Sequence, residues 1–196
     1  MSRPILTLFA AAALALGGTA SAADYSIDAS HSQVGFSVSH MTISTVRGQF
    51  TTFQGIAKTD AKGKLTAFEG TVDIASVNTE DAKRDGHLQS PDFFDGGTHP
   101  KMNFKSTKIK GDNSNGYKVT GDMTIHGITK SITLDMGPIK GPVTDPWGNV
   151  KAGTSATTVI DRQDFGLSWS KSLDGGGLVV GDDVTIQLEL ELLESK

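Results

Sequence analysis

The feature that most constrains this sequence is an alternation of apolar and polar side chains with a period of two residues. It is clearest near the C-terminus, where polar residues separate five apolar positions: Val184, Ile186, Leu188, Leu190 and Leu192. Successive side chains of a β-strand point to opposite faces, so the pattern predicts a strand with one buried and one solvated face. One-sided strands of this kind are typical of antiparallel sheets.

The same alternation recurs along most of the chain. Each of four further segments carries apolar or small residues on one face: Val34, Phe36 and Val38; Thr66, Phe68, Gly70, Val72 and Ile74; Tyr117, Val119, Gly121, Met123 and Ile125; and Ile132, Leu134 and Met136. Residues 47–57, 102–110 and 150–160 also fit strands. Together with the turns between them, these segments predict about eight or nine strands in one antiparallel barrel or sandwich.

Two local details qualify this pattern. Phe50 and Phe53 are three positions apart, so a regular strand would direct them to opposite faces, and both can face inward only across a bulge. Asp182 and Asp183 precede the last alternating segment, and we expect them to shape a turn at Gly181.

Residues 78–88 do not alternate. They begin with a capping residue, followed by acidic residues and then by basic ones. Because acidic side chains stabilise a helix N-terminus and basic ones its C-terminus, this order predicts a short helix that Gly86 ends. We place this helix after the third strand. The adjacent aromatic residues Phe93 and Phe94 follow it in a loop.

Composition excludes several classes of protein. The 196 residues suit one domain and include no cysteine, so the chain has no disulfide framework, no thiolate metal site and no cysteine nucleophile. The net charge is −4 and the lysines are scattered, which argues against a nucleic-acid partner.

The N-terminus has the pattern of a cleavable signal peptide over residues 1–22. Arg3 precedes an apolar run over residues 5–16, and Ala20-Ser21-Ala22 is a small-residue cleavage site. The run is too short to span a bilayer, although a buried helix is an alternative, and no later stretch is long enough to span one. We therefore expect a mature domain of residues 23–196, exported to the periplasm or secreted.

The five histidines invite a metal site, but none of their spacings is a local ligand motif: His31, His40, His87, His99 and His126. We therefore expect no metal and no cofactor, while a zinc site assembled from distant positions stays open. The sequence has no G-x-S-x-G nucleophile motif either, and we expect no catalytic residues. Arg47, Arg84 and Arg162 fit structural ion pairs, or an arginine at a pocket mouth that orients a polar ligand head.

Seven sequence blocks together resemble the YceI-like family of periplasmic polyisoprenoid-binding proteins. They run in order from about Tyr25 to Glu191: residues 25–40, with Tyr25-Ser26-Ile27-Asp28 and His31-Ser32; residues 44–50; residues 84–88 with Phe93-Phe94-Asp95; residues 100–106; residues 121–130; residues 161–166; and residues 180–184. The resemblance implies a single lipocalin-like antiparallel β-barrel whose cavity holds a polyprenyl lipid or the tail of an isoprenoid quinone. It implies no catalytic residues, and family members often pair as homodimers.

Apolar strand faces and aromatic residues supply the candidates for such a cavity: Phe36, Val38, Phe50, Phe68, Val72, Ile74, Phe93, Phe104, Ile125, Ile132, Phe165, Trp169 and Ile186. Arg84 and His87 are the polar candidates at its mouth. An eight-stranded barrel can hold one small ligand or be filled by side chains, and composition does not decide between the two. A histidine-based metal-binding or hydrolytic periplasmic enzyme, and a structural stress protein with a filled core, are therefore the alternatives.

Overall fold

The computed structural model describes residues 22–174 and 176–195. Residues 1–21 of the predicted signal peptide lie outside the described residues. The strands are β1 (Ala23–Ile27), β2 (Gln33–His40), β3 (Ser44–Phe50), β4 (Phe53–Thr59), β5 (Leu65–Asp73), β6 (Val77–Asn78), β7 (Lys101–Asp112), β8 (Gly116–Ile125), β9 (Ile128–Met136), β10 (Lys140–Thr144), β11 (Val150–Asp161) and β12 (Val180–Glu194). One α-helix, α1 (Ala82–Gln89), and three short 3-10 helices (Ala29–His31, Ile74–Ser76 and Arg162–Phe165) complete the described secondary structure.

The strands form one antiparallel sheet that closes on itself through β11. At Ala156, β11 pairs with Met136 of β9 on one side and with Leu188 of β12 on the other. From β12 the sheet continues through β1, β4, β5, β7 and β8 back to β9. The predicted single antiparallel β-barrel is therefore confirmed.

Interruptions explain why a barrel of eight strands contains twelve strand segments. β1 and β2 both pair with β12, and β3 and β4 continue on their other side. In the same way, β5 pairs with β4 and β6 pairs with β3, and β9 and β10 both pair with β11. Counted as barrel strands, these four pairs and the four single strands make eight. The helix follows the third of them, as the sequence predicts.

The interruption between β3 and β4 resolves the orientation of Phe50 and Phe53. Thr51 donates its backbone N–H to the carbonyl of Ser76, and the backbone N–H of Asp73 donates to the carbonyl of Thr52. These hydrogen bonds interrupt the strand between Phe50 and Phe53. The continuous strand predicted over residues 47–57 is therefore wrong. Both phenylalanines point into the barrel interior, because the interruption between them shifts the alternation of side chains by one residue.

Two other expectations from the sequence need correction. Thr66 is exposed and Leu65 is buried, because a bulge leaves Thr66 unpaired between two register positions of β4 and β5. Asp182 and Asp183 lie within β12 and do not form a turn before it. Asp182 instead accepts a hydrogen bond from the guanidinium of Arg162, at 2.9 Å.

The helix begins later than predicted and runs through Gly86. Its N-cap is Asp81, whose carboxylate accepts hydrogen bonds from the backbone N–H groups of Lys83 and Arg84, both at 3.0 Å. Glu80 has a positive φ of 63°, which excludes it from a right-handed helix. Gly86 keeps the helical conformation, and Ser90 is the C-cap.

Two regions of the barrel interior are packed differently. One end is filled by side chains around Leu192 and Val119, both fully buried. At the other end, α1 and the loop after it lie over the opening, and the clusters there surround open space. Among the described residues, no helix has the length and apolar character needed to cross a membrane.

Candidate functional site

The barrel encloses two adjoining apolar cavities. The first, here called the inner cavity, has a volume of about 100 Å³, and Phe68, Phe104 and Leu190 are among its walls. The second, the cap cavity, has a volume of about 110 Å³ and lies beneath α1 and its loop, with Leu88, Phe94 and Phe165 in its lining. Nearly all of the surface facing either cavity is apolar.

The two cavities share five lining residues: Phe36, Phe50, Met102, Ile125 and Ile186. These side chains therefore form the partition between them. Phe36 and Phe50 pack with ring centroids 5.7 Å apart, and Phe50 meets Phe94 edge-on at 5.9 Å. The partition consists of side chains alone, so a change of rotamer can join the cavities.

A third pocket, the mouth pocket, extends this series towards the surface. Its volume is about 180 Å³, and it includes the polar residues His40, Arg84 and His87. It shares five lining residues with the cap cavity: Phe36, Val38, Leu88, Phe93 and Val180. The mouth pocket, cap cavity and inner cavity therefore follow one another, and Phe36 lines all three.

An aromatic cluster frames the mouth pocket. The rings of His87, Phe93 and Trp169 lie within 5.0–5.3 Å of one another, centroid to centroid. Nε2 of His87 also contacts a carboxylate oxygen of Asp92 at 2.9 Å. His87 therefore places a polar ring against the aromatic side chains of the mouth pocket.

Arg84 is held by the segment that precedes its own helix. It donates from Nε to the Thr79 hydroxyl at 2.8 Å and from Nη2 to the Thr79 carbonyl at 2.7 Å. The same Thr79 hydroxyl donates to Asp85 at 2.6 Å. Arg84 thus stabilises the cap of the barrel through Thr79, while its side chain still lines the mouth pocket.

Arg162 has a structural role. Its guanidinium donates to the carbonyls of Gly181, Leu167 and Trp169 and to the carboxylate of Asp182, and the side chain is only 4% exposed. These bonds join the segment after β11 to the start of β12. Of the two interpretations that the sequence allows for its arginines, the structural one holds for Arg162.

A second charged network lies where β1 ends. The ammonium of Lys151 contacts Asp28 at 3.1 Å and Glu191 at 2.5 Å. Hydrogen bonds from Ser30 and His31, followed by Lys151, hold the pKa of Asp28 well below its usual range. The bonds to Glu191 and Asp28 in turn raise the pKa of Lys151. The charged groups of this network are paired with one another, and they link the end of β1 to β11 and β12.

Most of the predicted residues do meet at these cavities. Thirteen of the fifteen candidates line at least one of the three spaces: Phe36, Val38, Phe50, Phe68, Val72, Phe93, Phe104, Ile125, Phe165, Trp169, Ile186, Arg84 and His87. Ile74 and Ile132 line none of them. Ile74 lies in a 3-10 helix, where it packs with Phe50 and Val77, and Ile132 packs against the clusters of buried residues.

Several lining residues escaped the sequence argument. Met102 lines both interior cavities, Val184 lines the cap cavity, and Leu188 lines the inner cavity. Val184 and Leu188 share the apolar face of the last strand with Ile186, so the alternation could have identified them.

A small closed barrel with apolar interior spaces is typical of the lipocalin-like class of β-barrel proteins.

Comparison with known proteins identifies the family. A family model described as the YceI-like domain matches residues 25–192, so this chain belongs to the YceI-like family. A UPF0312 protein of Vibrio parahaemolyticus is 35% identical over 195 residues, which cover 98% of this chain and 97% of that protein. The resemblance seen in the sequence is therefore confirmed.

Solved structures share the fold. The crystal structure of a YceI protein from Campylobacter jejuni is 33% identical, with a TM-score of 0.69, covering 81% of this chain and 90% of that one. A polyisoprenoid binding domain from Saccharophagus degradans is 18% identical, with a TM-score of 0.61, covering 87% of this chain and 98% of that one. At that identity, the second similarity establishes the fold alone.

Proposed function

We propose that this protein is a non-enzymatic binding protein that encloses a long apolar isoprenoid lipid inside its barrel. The ligand would be a polyprenyl lipid or the tail of an isoprenoid quinone, held for transport or storage. The observation that carries the proposal is the series of adjoining spaces, mouth pocket, cap cavity and inner cavity, whose linings overlap.

The dimensions of the cavities favour a chain over a compact ligand. Each space is smaller than the roughly 300–1,000 Å³ of ordinary ligand pockets. A compact ligand would need one large space, whereas a flexible chain can occupy narrow spaces in succession. Met102, one of the residues that separate the interior cavities, has a flexible unbranched side chain that can move aside for it.

The chemistry of the lining supports a hydrocarbon ligand. An isoprenoid tail has no hydrogen-bonding groups, so it gains affinity from apolar walls, at about 0.8 kcal/mol for each buried CH₂-sized unit. The polar residues Arg84 and His87 lie at the mouth pocket, where a ligand head group would remain. The name of the Saccharophagus degradans domain gives family-level support, because it describes polyisoprenoid binding.

The proposed location is the periplasm, on the strength of the signal-peptide pattern in residues 1–22. A long isoprenoid tail is insoluble in water, so a closed apolar shell would serve it between two membranes. Cleavage after Ala22 would leave β1 whole, since that strand begins at Ala23. The intact mass of protein from the periplasm measures the cleavage site directly.

Native mass spectrometry tests the proposed function. Protein purified from its own periplasm should carry an additional mass that organic extraction removes, and fragmentation of the extract should give isoprenoid ions. The matched sample is the same protein refolded after extraction, which should recover the mass only when a polyprenyl lipid is supplied. Native protein without any extractable lipid, together with no uptake by the refolded sample, would contradict the proposal.

A further inference from the structure

Asp95, His99 and His126 form a cluster at the capped end of the barrel that lipid binding does not use. Asp95 and His99 lie in the loop between α1 and β7, and His126 lies in the turn between β8 and β9. One potential ligand atom from each of the three side chains lies within 4.8 Å of the others. All three residues are half-buried.

The spacing of the two imidazoles matches that of ligands to a single ion. The ring centroids of His99 and His126 are 5.0 Å apart, and their planes meet at 76°. Two imidazoles on one tetrahedral zinc ion, with Zn–N distances of about 2.0–2.1 Å, place their centroids about 5 Å apart. The separation of the two rings is therefore compatible with a shared zinc ion.

Polar atoms of the cluster lack partners. Nδ1 of His126 is buried and has no hydrogen bond within the described part of the chain. Over residues 22–174 and 176–195, no side-chain hydrogen bond or ion pair reaches the Asp95 carboxylate or the His99 ring. A buried polar atom without a partner is uncommon in a folded protein, and a bound ion or an ordered water can supply the partner.

The backbone around the cluster is specialised. Asp95 and His126 both have positive φ angles, of 45° and 51°. A Cβ added at Gly127 would lie 2.6 Å from the His99 ring, so glycine is needed for that ring to approach the turn. Such conformations persist where the surrounding structure fixes them, and they concentrate at functional sites.

We propose that Asp95, His99 and His126 bind a divalent transition-metal ion, with Zn²⁺ as the occupant. Two imidazoles and one carboxylate suit zinc, and three protein ligands leave a coordination position for water. Because the ligands come from two loops, the ion would join the loop after α1 to the β8–β9 turn. This is the zinc site assembled from distant positions that local spacing could not reveal.

A second cluster in the same protein provides the control. Asp28, His31 and Glu191 also converge, but the ammonium of Lys151 already lies against both of their carboxylates. The positive charge of Lys151 would repel a metal cation from that place. We therefore expect zinc to bind at Asp95, His99 and His126 and not at the second cluster.

The experiment uses mature protein freed of metal by a chelator and titrated with ZnCl₂. Calorimetry should show one zinc ion per protein, and the melting temperature should rise by about 5 °C when zinc exceeds its Kd about a hundredfold. His126→Asn and Asp95→Asn should each weaken zinc binding about tenfold or more. Asparagine tolerates a positive φ, so both variants should keep the backbone. His31→Asn should bind zinc as the unmodified protein does.

Two results would overturn this proposal: no stoichiometric zinc binding by the unmodified protein, or equal weakening by His31→Asn. If His126→Asn does not fold, His99→Gln provides the same comparison at a position without a positive φ. Lipid occupancy, measured by native mass spectrometry on the same samples, is a separate readout. Failure of zinc binding is thus distinguishable from failure of lipid binding.

Discussion

Phe36 lies against Gly48, its direct partner across β2 and β3, so closely that a Cβ at Gly48 would be 2.4 Å from the Cζ atom of the ring. The missing side chain of Gly48 is what gives the ring its position against the barrel wall. Since Phe36 lines all three spaces of the proposed lipid site, a shift of its ring would change the shape of each of them.

Gly48→Ala should therefore push the ring of Phe36 into the cavities. We expect a loss of about 1–3 kcal/mol in the free energy of unfolding from overpacking, together with reduced lipid occupancy. Gly35→Ala is the matched control on the same strand pair, because the nearest atom to its added Cβ would be 3.6 Å away. Urea unfolding and native mass spectrometry measure the two effects. Equal behaviour of the two variants would show that the position of Phe36 does not depend on Gly48.

Ile186→Trp should fill the partition between the inner cavity and the cap cavity. The larger side chain would expel the lipid while the sheet still forms, because the substitution leaves the backbone pairing with Phe36 and Thr158 in place. Val159→Trp is the control, since Val159 is 59% exposed on the outside of β11. Full lipid occupancy in a folded Ile186→Trp protein would place the ligand outside the barrel.

Arg162→Met should strongly destabilise the protein. The substitution leaves one buried and two half-buried carbonyls and the partly exposed Asp182 carboxylate without their donor, and each hydrogen bond that involves a charged group contributes about 1.5–3 kcal/mol. Urea unfolding provides the measurement. Asp182→Asn should have a smaller effect, because Asp182 is partly exposed and the carbonyls keep their donor. The opposite ranking would show that the ion pair matters more than the carbonyl contacts.

Arg84→Ala should lower stability more than it lowers lipid binding. It removes two hydrogen bonds to Thr79, each contributing about 0.5–1.5 kcal/mol, so we expect a loss of about 1–3 kcal/mol. Lys83→Ala, an exposed neighbour on the same helix, should change stability little. Thermal unfolding and lipid occupancy are compared on both variants. Unchanged stability with lost lipid would instead make Arg84 a contact to the ligand head group.

Asp28 should contribute stability that depends on pH. Its pKa is depressed in the folded protein, so the contribution is complete above the unfolded pKa of about 3.9 and is lost as pH falls towards the folded value. Asp28→Asn should therefore lower the melting temperature at neutral pH, and the gap to the unmodified protein should close below about pH 4. The exposed Asp122 supplies the control, as Asp122→Asn. A gap that stays constant down to pH 2 would rule out Asp28 as the source.

The sequence predicted those parts of the site that depend on side-chain periodicity. Phe36, Val38, Phe104 and Ile186 were assigned to apolar faces, and each lines a cavity. Ile74 was assigned by the same rule and does not line one, because a 3-10 helix follows Asp73 and ends the alternation. Periodicity thus predicted orientation correctly where a strand continued without a bulge, and it failed at Thr66 within β5.

Pairing between segments accounts for two of the errors. The break at Thr51 and Thr52 depends on backbone bonds to Ser76 and Asp73, more than twenty residues away. The bulge at Thr66 depends likewise on the register between β4 and β5. No local pattern contains this information, because the partners become neighbours only after the sheet has formed.

The sequence by itself determined one-sided antiparallel strands with one inserted helix, in a barrel or a sandwich, because alternation and capping are properties of neighbouring residues. It also supplied the motif blocks that identify the family. Only the tertiary structure decided how twelve strand segments join into eight, which side chains leave open space, and that Asp95, His99 and His126 meet. Barrel closure and side-chain packing bring together residues far apart in the chain, so the cavities and the histidine cluster exist only in the folded protein.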